Sequence, residues 1–159
     1  MKSHVSNEEA TRLVETYSDM IYRLALIRTK NTHDAQDILQ DVFLRYIRSR
    51  PVFESSEHEK AWLIRVTVNR ANSFLSSTWN RRTLPFDEAV LGERGEEEDG
   101  SAVLNAVASL PLAMRTAIHL HYFEQMTVKE ISSAMGKSES AVKSLLFRGR
   151  QCLKELLEP

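Results

Sequence analysis

Residues 127–150 read TVKEISSAMGKSESAVKSLLFRGR, a stretch that spells two helices and the turn between them. Thr127 is placed to cap the first, and Glu130, three residues on, completes a capping box. Ile131, Ala134 and Met135 give that helix an apolar side. Gly136 supplies the break, because a left-handed backbone costs glycine little. Ser138 is placed to cap the second helix, which turns Val142 and Leu146 inward at a spacing of four. Lys143, Ser144, Phe147 and Arg148 fall on its other arcs. Such a set suits a DNA major groove, where cations reach phosphates or guanine edges and apolar atoms meet thymine methyls. The same letters also describe a plain surface hairpin with solvated charges, so the rest of the chain has to decide.

Working outward, the charge is segregated. The net charge is −1, so the chain lacks the overall positive excess that lets a lone protein neutralise DNA phosphates. Yet residues 60–82 carry five basic side chains (Lys60, Arg65, Arg70, Arg81, Arg82) and no acidic ones. Residues 87–99 carry seven acidic side chains and one basic, Arg94. Residues 137–157 return to five basic against two acidic. Basic, acidic, basic implies two nucleic-acid-facing modules and an acidic connector. Five Gly and four Pro in 159 residues favour helices over turn-rich strands. A single cysteine, Cys152, excludes an internal disulfide and suits a reducing compartment. With no long apolar run and no signal-like N-terminus, the expected location is cytoplasmic.

Before the connector the pattern predicts three helices. The first starts after Ser6, with Glu9 as box partner, and carries Leu13, Tyr17, Met20, Ile21 and Leu24 to about Arg28. The second runs from about His33 to Ser49 on Ala35, Ile38, Leu39, Val42 and Tyr46. Asp34, Asp37 and Asp41 fall within an arc of roughly 60° beside that stripe. Three carboxylates in a row repel unless something basic faces them, which points to a basic protein partner; a solvated acidic face near the helix start is the plainer account. No further ligand is placed for a metal. Pro51 and a Ser56/Glu59 capping box bound the loop before the third helix, predicted to run to about Trp79. Its inward face is Ala61, Ile64, Val68, Ala71 and Leu75, widened by Trp62, Val66, Phe74 and Trp79; Arg65, Asn69 and Arg70 point elsewhere. With an exposed Phe53 ahead of it, such a helix fits single-stranded DNA, cations tracking the backbone and side chains holding unstacked bases. Trp62 reads as core rather than as a base platform.

Residues 83–101, with Pro85, three glycines and the run Glu96-Glu97-Glu98-Asp99, predict a flexible acidic linker spanning on the order of 60 Å if extended. A lead helix from Ala102 to Ser109 follows, then a helix opened by Pro111 and running to about Phe123. It carries His119 and His121, whose side chains diverge by about 160° and so share no metal, one at the surface and one partly buried. Cys152 reads as a packed thiol.

Taken together, the chain resembles a bacterial RNA polymerase sigma factor of the sigma-70 family, extracytoplasmic-function group, over nearly all its length. The N-terminal hallmark is DAQDILQDVF at 34–43, then Ala61-Trp62-Leu63-Ile64-Arg65-Val66 and Asn69. In the other half Leu110-Pro111, Arg115, His121-Tyr122-Phe123, Thr127, Glu130-Ile131, Gly136 and Ala141-Val142-Lys143-Ser144 follow the family in order. The resemblance implies an all-α fold of two small helical domains: 1–82 for polymerase docking and −10 recognition and melting, 83–101 as linker, 102–159 for −35 recognition. It implies docking on the β′ clamp helices of core RNA polymerase through Asp34, Asp37, Gln40, Asp41, Val42 and Phe43, with the β flap as a further contact. It implies a −10 strand site of Phe53, Lys60, Arg65, Asn69 and Arg70, and a −35 duplex site of Ser140, Lys143, Ser144, Phe147 and Arg148. The linker would run toward the RNA exit path, its acidity mimicking nucleic acid. An anti-sigma factor, often membrane-anchored, is the expected inhibitor. No cofactor, metal or catalytic residue is implied, and the chain itself has no membrane segment to insert.

Two positions depart from the family. Leu145 stands where an arginine usually follows the serine, which removes one cation from the expected −35 surface, and Ser132 stands where alanine is usual. A stand-alone helix-turn-helix regulator with a dimerising or sensing N-terminal half is the competing reading. A sensor needs neither the Asp row nor the basic stretch 60–82, and the near-neutral charge suits a protein whose partner supplies most of the grip on DNA. A small helical enzyme finds no nucleophile–base pair, phosphate loop or metal-ligand spacing.

Overall fold

The computed structural model describes residues 6–77 and 98–158, and among them it holds seven α-helices and no strand. In chain order they are α1 (Asn7–Thr29), α2 (Thr32–Ser49), α3 (Ser56–Ser77), α4 (Glu98–Ser109), α5 (Leu112–Ile118), α6 (Val128–Met135) and α7 (Glu139–Leu157). A π-turn, His119–Phe123, continues α5. Trp79, Arg81, Arg82, residues 83–97 and the side chains of Phe74 and Leu75 lie outside the described residues.

Helices α1, α2 and α3 pack on one another as a bundle. Ser6 caps α1 by accepting the Glu9 N–H at 3.1 Å. The expected stripe of Leu13, Tyr17, Met20, Ile21 and Leu24 is buried, and burial then continues without a gap through Ala25, Leu26, Ile27 and Arg28. That last turn is enclosed from more sides, because α5 and the π-turn also pack on α1. Asn31 caps α2 by accepting the Asp34 N–H at 3.0 Å, one residue ahead of the predicted start. The predicted Ser56/Glu59 box does not form. Ser55 caps α3, its hydroxyl accepting the His58 N–H at 3.1 Å.

Glu59 is thereby free for a longer reach. Its carboxylate accepts two bonds from Arg12 at 3.1 Å, the Tyr17 hydroxyl at 2.8 Å and the Tyr46 hydroxyl at 2.7 Å. One buried carboxylate thus joins all three helices. Burial alone would raise its pKa, but these donors, Arg12 first, hold it below the usual 4.5. Burial and the neighbouring carboxylate push both tyrosines up to about 12.

The C-terminal half starts earlier than expected: α4 begins at Glu98 and takes in residues 98–101, assigned above to the linker. Acidic residues are favourable in the first turn of a helix, so the end of the acidic run suits a helix start. Gly149, inside α7, marks the closest approach of that helix to α5. A Cβ there would meet Ile118 Cγ1 at 2.7 Å, so only glycine fits without a shift.

Candidate nucleic-acid interface

The turn in 127–150 forms as its letters dictate. Thr127 Oγ accepts the Glu130 N–H at 3.1 Å and Glu130 returns the favour to the Thr127 N–H at 3.0 Å. Gly136 sits at φ 65° as the C-cap of α6. Ser132 Oγ donates to the Lys137 carbonyl at 2.5 Å, a bond across the turn that an alanine would lack. Ser138 caps α7 by accepting the Ala141 N–H at 3.1 Å. Val142, Leu145, Leu146 and Gly149 face inward. Leu145, which stands where the resemblance leads one to expect an arginine, packs into the core at 7% exposed.

Among the side chains that α7 leaves in solvent are the five expected ones, Ser140, Lys143, Ser144, Phe147 and Arg148, with Glu139, Gln151, Lys154 and Glu155 exposed on the same helix. Phe147 is 57% exposed, an aromatic ring whose apolar area is unused by the fold and available to a partner. Arg150 joins the same side chain set with a long contact to the Tyr122 hydroxyl, 3.4 Å. The arrangement is a rigid helix presenting two or three cations, a hydroxyl and a ring.

The second candidate surface, on α3, is differently disposed. Lys60 Nζ donates to the Glu124 carbonyl at 3.0 Å, and Arg65 Nη2 to Ser133 Oγ at 2.7 Å. Arg70 Nε lies 2.5 Å from Asp41 Oδ2. All three cations thus have partners within the chain; Asn69 is exposed. Phe53 is not the exposed ring expected. It is half-buried, 6.1 Å from Tyr46 and 5.9 Å from Trp62 between ring centres, and edge-on to His58 at 5.3 Å. The exposed apolar tip of that loop is Val52, at 92%. Trp62 is half-buried in the same cluster, as expected.

On α2, Asp37 and Gln40 are exposed, Asp34 and Asp41 half-buried. Asp41 also pairs with Arg45 at 3.2 Å, and Asp37 lies 3.8 Å from His33. Val42 is 0% exposed and Phe43 packs on the core; Val42 is corrected from a contact residue to a core residue, since no partner reaches it. The sequence reading passed over Leu44 and Ile47, which are 47% and 40% exposed. With Asp37 and Gln40 they recur at i, i+3, i+7 and i+10, a spacing that puts them on one face and was legible in the letters.

The halves meet along a mixed seam, where one buried apolar cluster runs through both and polar contacts line the rest. Arg115 donates to the carbonyls of Ile27 (2.5 Å), Arg28 (3.0 Å) and Leu110 (2.9 Å), satisfying the end of α1 from the other half of the chain. Arg28 donates to Thr116 Oγ1 at 2.5 Å and to Asn72. Burial pushes both guanidiniums down to about 10, with their mutual repulsion adding for Arg28. Arg23 pairs with Glu124 at 2.9 Å. His119 is buried, 4.0 Å from the same Glu124 carboxylate and stacked on Phe123, while the half-buried His121 ring contacts the Met126 carbonyl at 2.9 Å. Cys152 is partly buried against the core. No described helix is long and apolar enough to cross a membrane.

Comparison with known proteins agrees on both halves. Residues 13–81 match the Sigma-70 region 2 family and residues 101–153 the Sigma-70, region 4 family. Over 154 residues the chain is 32% identical to the ECF RNA polymerase sigma factor SigM of Bacillus subtilis (strain 168), covering 91% of this chain and 92% of that protein. The fold is that of CnrH, solved with the cytosolic domain of CnrY, at TM-score 0.71 and 21% identity over 96% of this chain and 90% of that one. It is equally that of the sigma factor RpoE of Bartonella quintana, solved with the anti-sigma factor NepR, at TM-score 0.70 and 20% identity over 95% and 98%. A helical bundle of the region 2 family followed by a helix-turn-helix of the region 4 family, matched along nearly the whole of a curated relative, makes the assignment: the chain belongs to the extracytoplasmic-function RNA polymerase sigma factors.

Proposed function

We infer that the chain joins core RNA polymerase, directs it to begin transcription at particular promoters, and supplies no chemistry of its own. The observation that carries this is the exposed set Lys143, Ser144, Phe147 and Arg148 on a helix capped and oriented by its own turn, in a chain of this family. In this reading residues 1–82 dock and open the −10 region, the segment up to residue 97 links, and 98–159, which includes α4, read the −35 duplex. Asp37, Gln40, Leu44 and Ile47 meet the polymerase, with Asp34 and Phe43 at the margin. Asp41 has a second duty, since its partner Arg70 is itself a −10 candidate. Lys60, Arg65, Asn69 and Arg70 take the −10 strand, and Phe53 supports the loop that carries Val52. The site of action is the cytoplasm. Control by an anti-sigma factor is part of the proposal, supported by the solved complexes of fold relatives with such inhibitors.

The test is run-off transcription with core polymerase on a library of promoters. Specific initiation that depends on adding the chain is the expected result. Tight, palindrome-specific duplex binding by the chain alone, indifferent to polymerase, would point instead to a free-standing regulator.

A further inference from the structure

We propose that the packing of the two halves is a self-inhibiting latch: the C-terminal half holds Lys60 and Arg65, two of the three strand-facing cations of α3, and opening at Arg23–Glu124 releases them. The inference rests on the reading of α3 as the strand-binding helix. Of the two candidate DNA surfaces, only one is occupied. The α7 face is open to solvent, whereas the half-buried Lys60 is held by the Glu124 carbonyl and Arg65, though still exposed, is tied to Ser133. Both acceptors lie on or beside the helix-turn-helix, one at the end of the π-turn and one on α6. The same face of α3 cannot carry a nucleic-acid strand while α6 packs on it.

The chemistry of the seam suits a latch rather than a permanent joint. Lys60 and Arg65 are matched to neutral acceptors, a carbonyl and a hydroxyl. A phosphate adds an opposite full charge that a carbonyl or a hydroxyl lacks, so a strand displaces those acceptors once it has access. The charged pair that holds the seam is elsewhere: Glu124, its side chain 3% exposed, against Arg23 of α1. Its position comes from the π-turn, where the Glu124 N–H reaches back to the His119 carbonyl at 3.2 Å, and from Gln125 at φ 57° immediately after. Wide turns of this kind recur at functional sites. Beside Glu124 the halves do not close fully. A cleft of about 240 Å³ remains there, lined from α3 by Lys60, Ala61 and Ile64 and from the other half by Glu124 and Met126. Further along, Arg28 and Arg115 lie buried together without a carboxylate, and opening returns both to water. Seams within one chain move by default unless they are large and hydrophobic, and this one divides its contacts between polar bonds and apolar packing.

The experiment compares the full-length protein with Arg23→Glu, Arg23→Ala and the swap Arg23→Glu/Glu124→Arg. Small-angle scattering reads the radius of gyration, on the order of 15 Å for a packed chain of this length. Anisotropy of a labelled, mixed-sequence single-stranded DNA oligonucleotide reads strand binding, since phosphate attraction is independent of sequence. Arg23→Glu should expand the chain by several Å and tighten strand binding by about tenfold. Arg23→Ala should do so more weakly, and the swap should restore both values. Arg23→Glu makes the chain more negative, so a gain in DNA affinity cannot come from net charge. Two results overturn the latch: both single variants stay as compact as the parent, or they expand with no gain in strand binding. Run-off transcription separates this from the functional reading. If the parent with core polymerase initiates normally while opening brings no gain, only the latch falls. If no variant directs initiation, the sigma-factor reading falls, and scattering with anisotropy still decides whether the halves mask α3.

Discussion

The two candidate DNA-facing surfaces are built on opposite principles. The α7 surface is assembled by neighbours in sequence: Thr127 with Glu130, Gly136, Ser138 with Ala141, and a core of Val142, Leu145 and Leu146 beneath. Its outward side chains point at solvent. The α3 surface is assembled by distant parts: Glu59 with Arg12, Tyr17 and Tyr46, and Lys60 and Arg65 with residues more than sixty positions away. Locally capped elements present a finished surface in the isolated chain. A surface positioned by long-range polar contacts is also one that those contacts can withhold.

The largest effect that would test this contrast lies at Glu59. Glu59→Ala strands two tyrosine hydroxyls and leaves Arg12 unpaired, and should cost about 3 kcal/mol of stability in the N-terminal bundle. Denaturant titration measures it; a loss within about 0.5 kcal/mol would mean the network is ornamental. The pH dependence carries a sign. Because the folded carboxyl titrates below the usual 4.5, its contribution is intact above that value and is lost as the pH falls below it. In Glu59→Ala that acid-side loss should shrink.

Next comes binding rather than stability. Arg148→Ala should weaken binding of the polymerase complex to its −35 duplex by about 1–3 kcal/mol if the guanidinium grips a base edge. The loss should concentrate on one base pair; an even loss across duplex variants would make Arg148 a phosphate contact. Removing the cap should matter less. Ser138→Ala should cost about 1 kcal/mol, confined to the C-terminal half and visible in exchange of the α7 amides. If it unfolded both halves equally, the claim that this half is locally built would fail.

The smallest expected change in stability is on α2. Leu44→Ser and Ile47→Ser remove apolar area that the fold leaves in water, so each should shift stability by no more than about 0.5 kcal/mol. Both should nonetheless weaken association with core polymerase, measured by pull-down or sedimentation. Normal association would move the docking face away from this helix. Charge reversal at Asp37 is a clean companion, whereas Asp41→Arg also frees Arg70 and so disturbs α3.

Element identity was legible because it is local. The apolar periods over 7–29, 32–49 and 139–157 and the capping residues before them are properties of consecutive letters, and the helices form where those place them. The failures have a common cause. Glu59 looks like a box partner for Ser56 because both are near in sequence; a buried bond to helices 42 and 13 residues away wins instead. Phe53 looks exposed because it follows a proline in a loop, but three rings close around it. Leu145 stands where the resemblance leads one to expect an arginine, while its place on the helix is inward. No periodicity announces Glu124, Ser133 or Arg28, since their partners are chosen by the packing.

By itself, then, the order of residues determined which segments are helices, where the turn falls, and which side chains α7 holds out to solvent, because caps, glycine and the 3.6-residue repeat act within a few positions. Only the tertiary structure decided that Leu145 is core, that one carboxylate ties the first three helices, and that the two halves close on Lys60 and Arg65. Those outcomes depend on which surfaces meet, and hydrogen bonds spanning a hundred residues leave no mark on the local pattern.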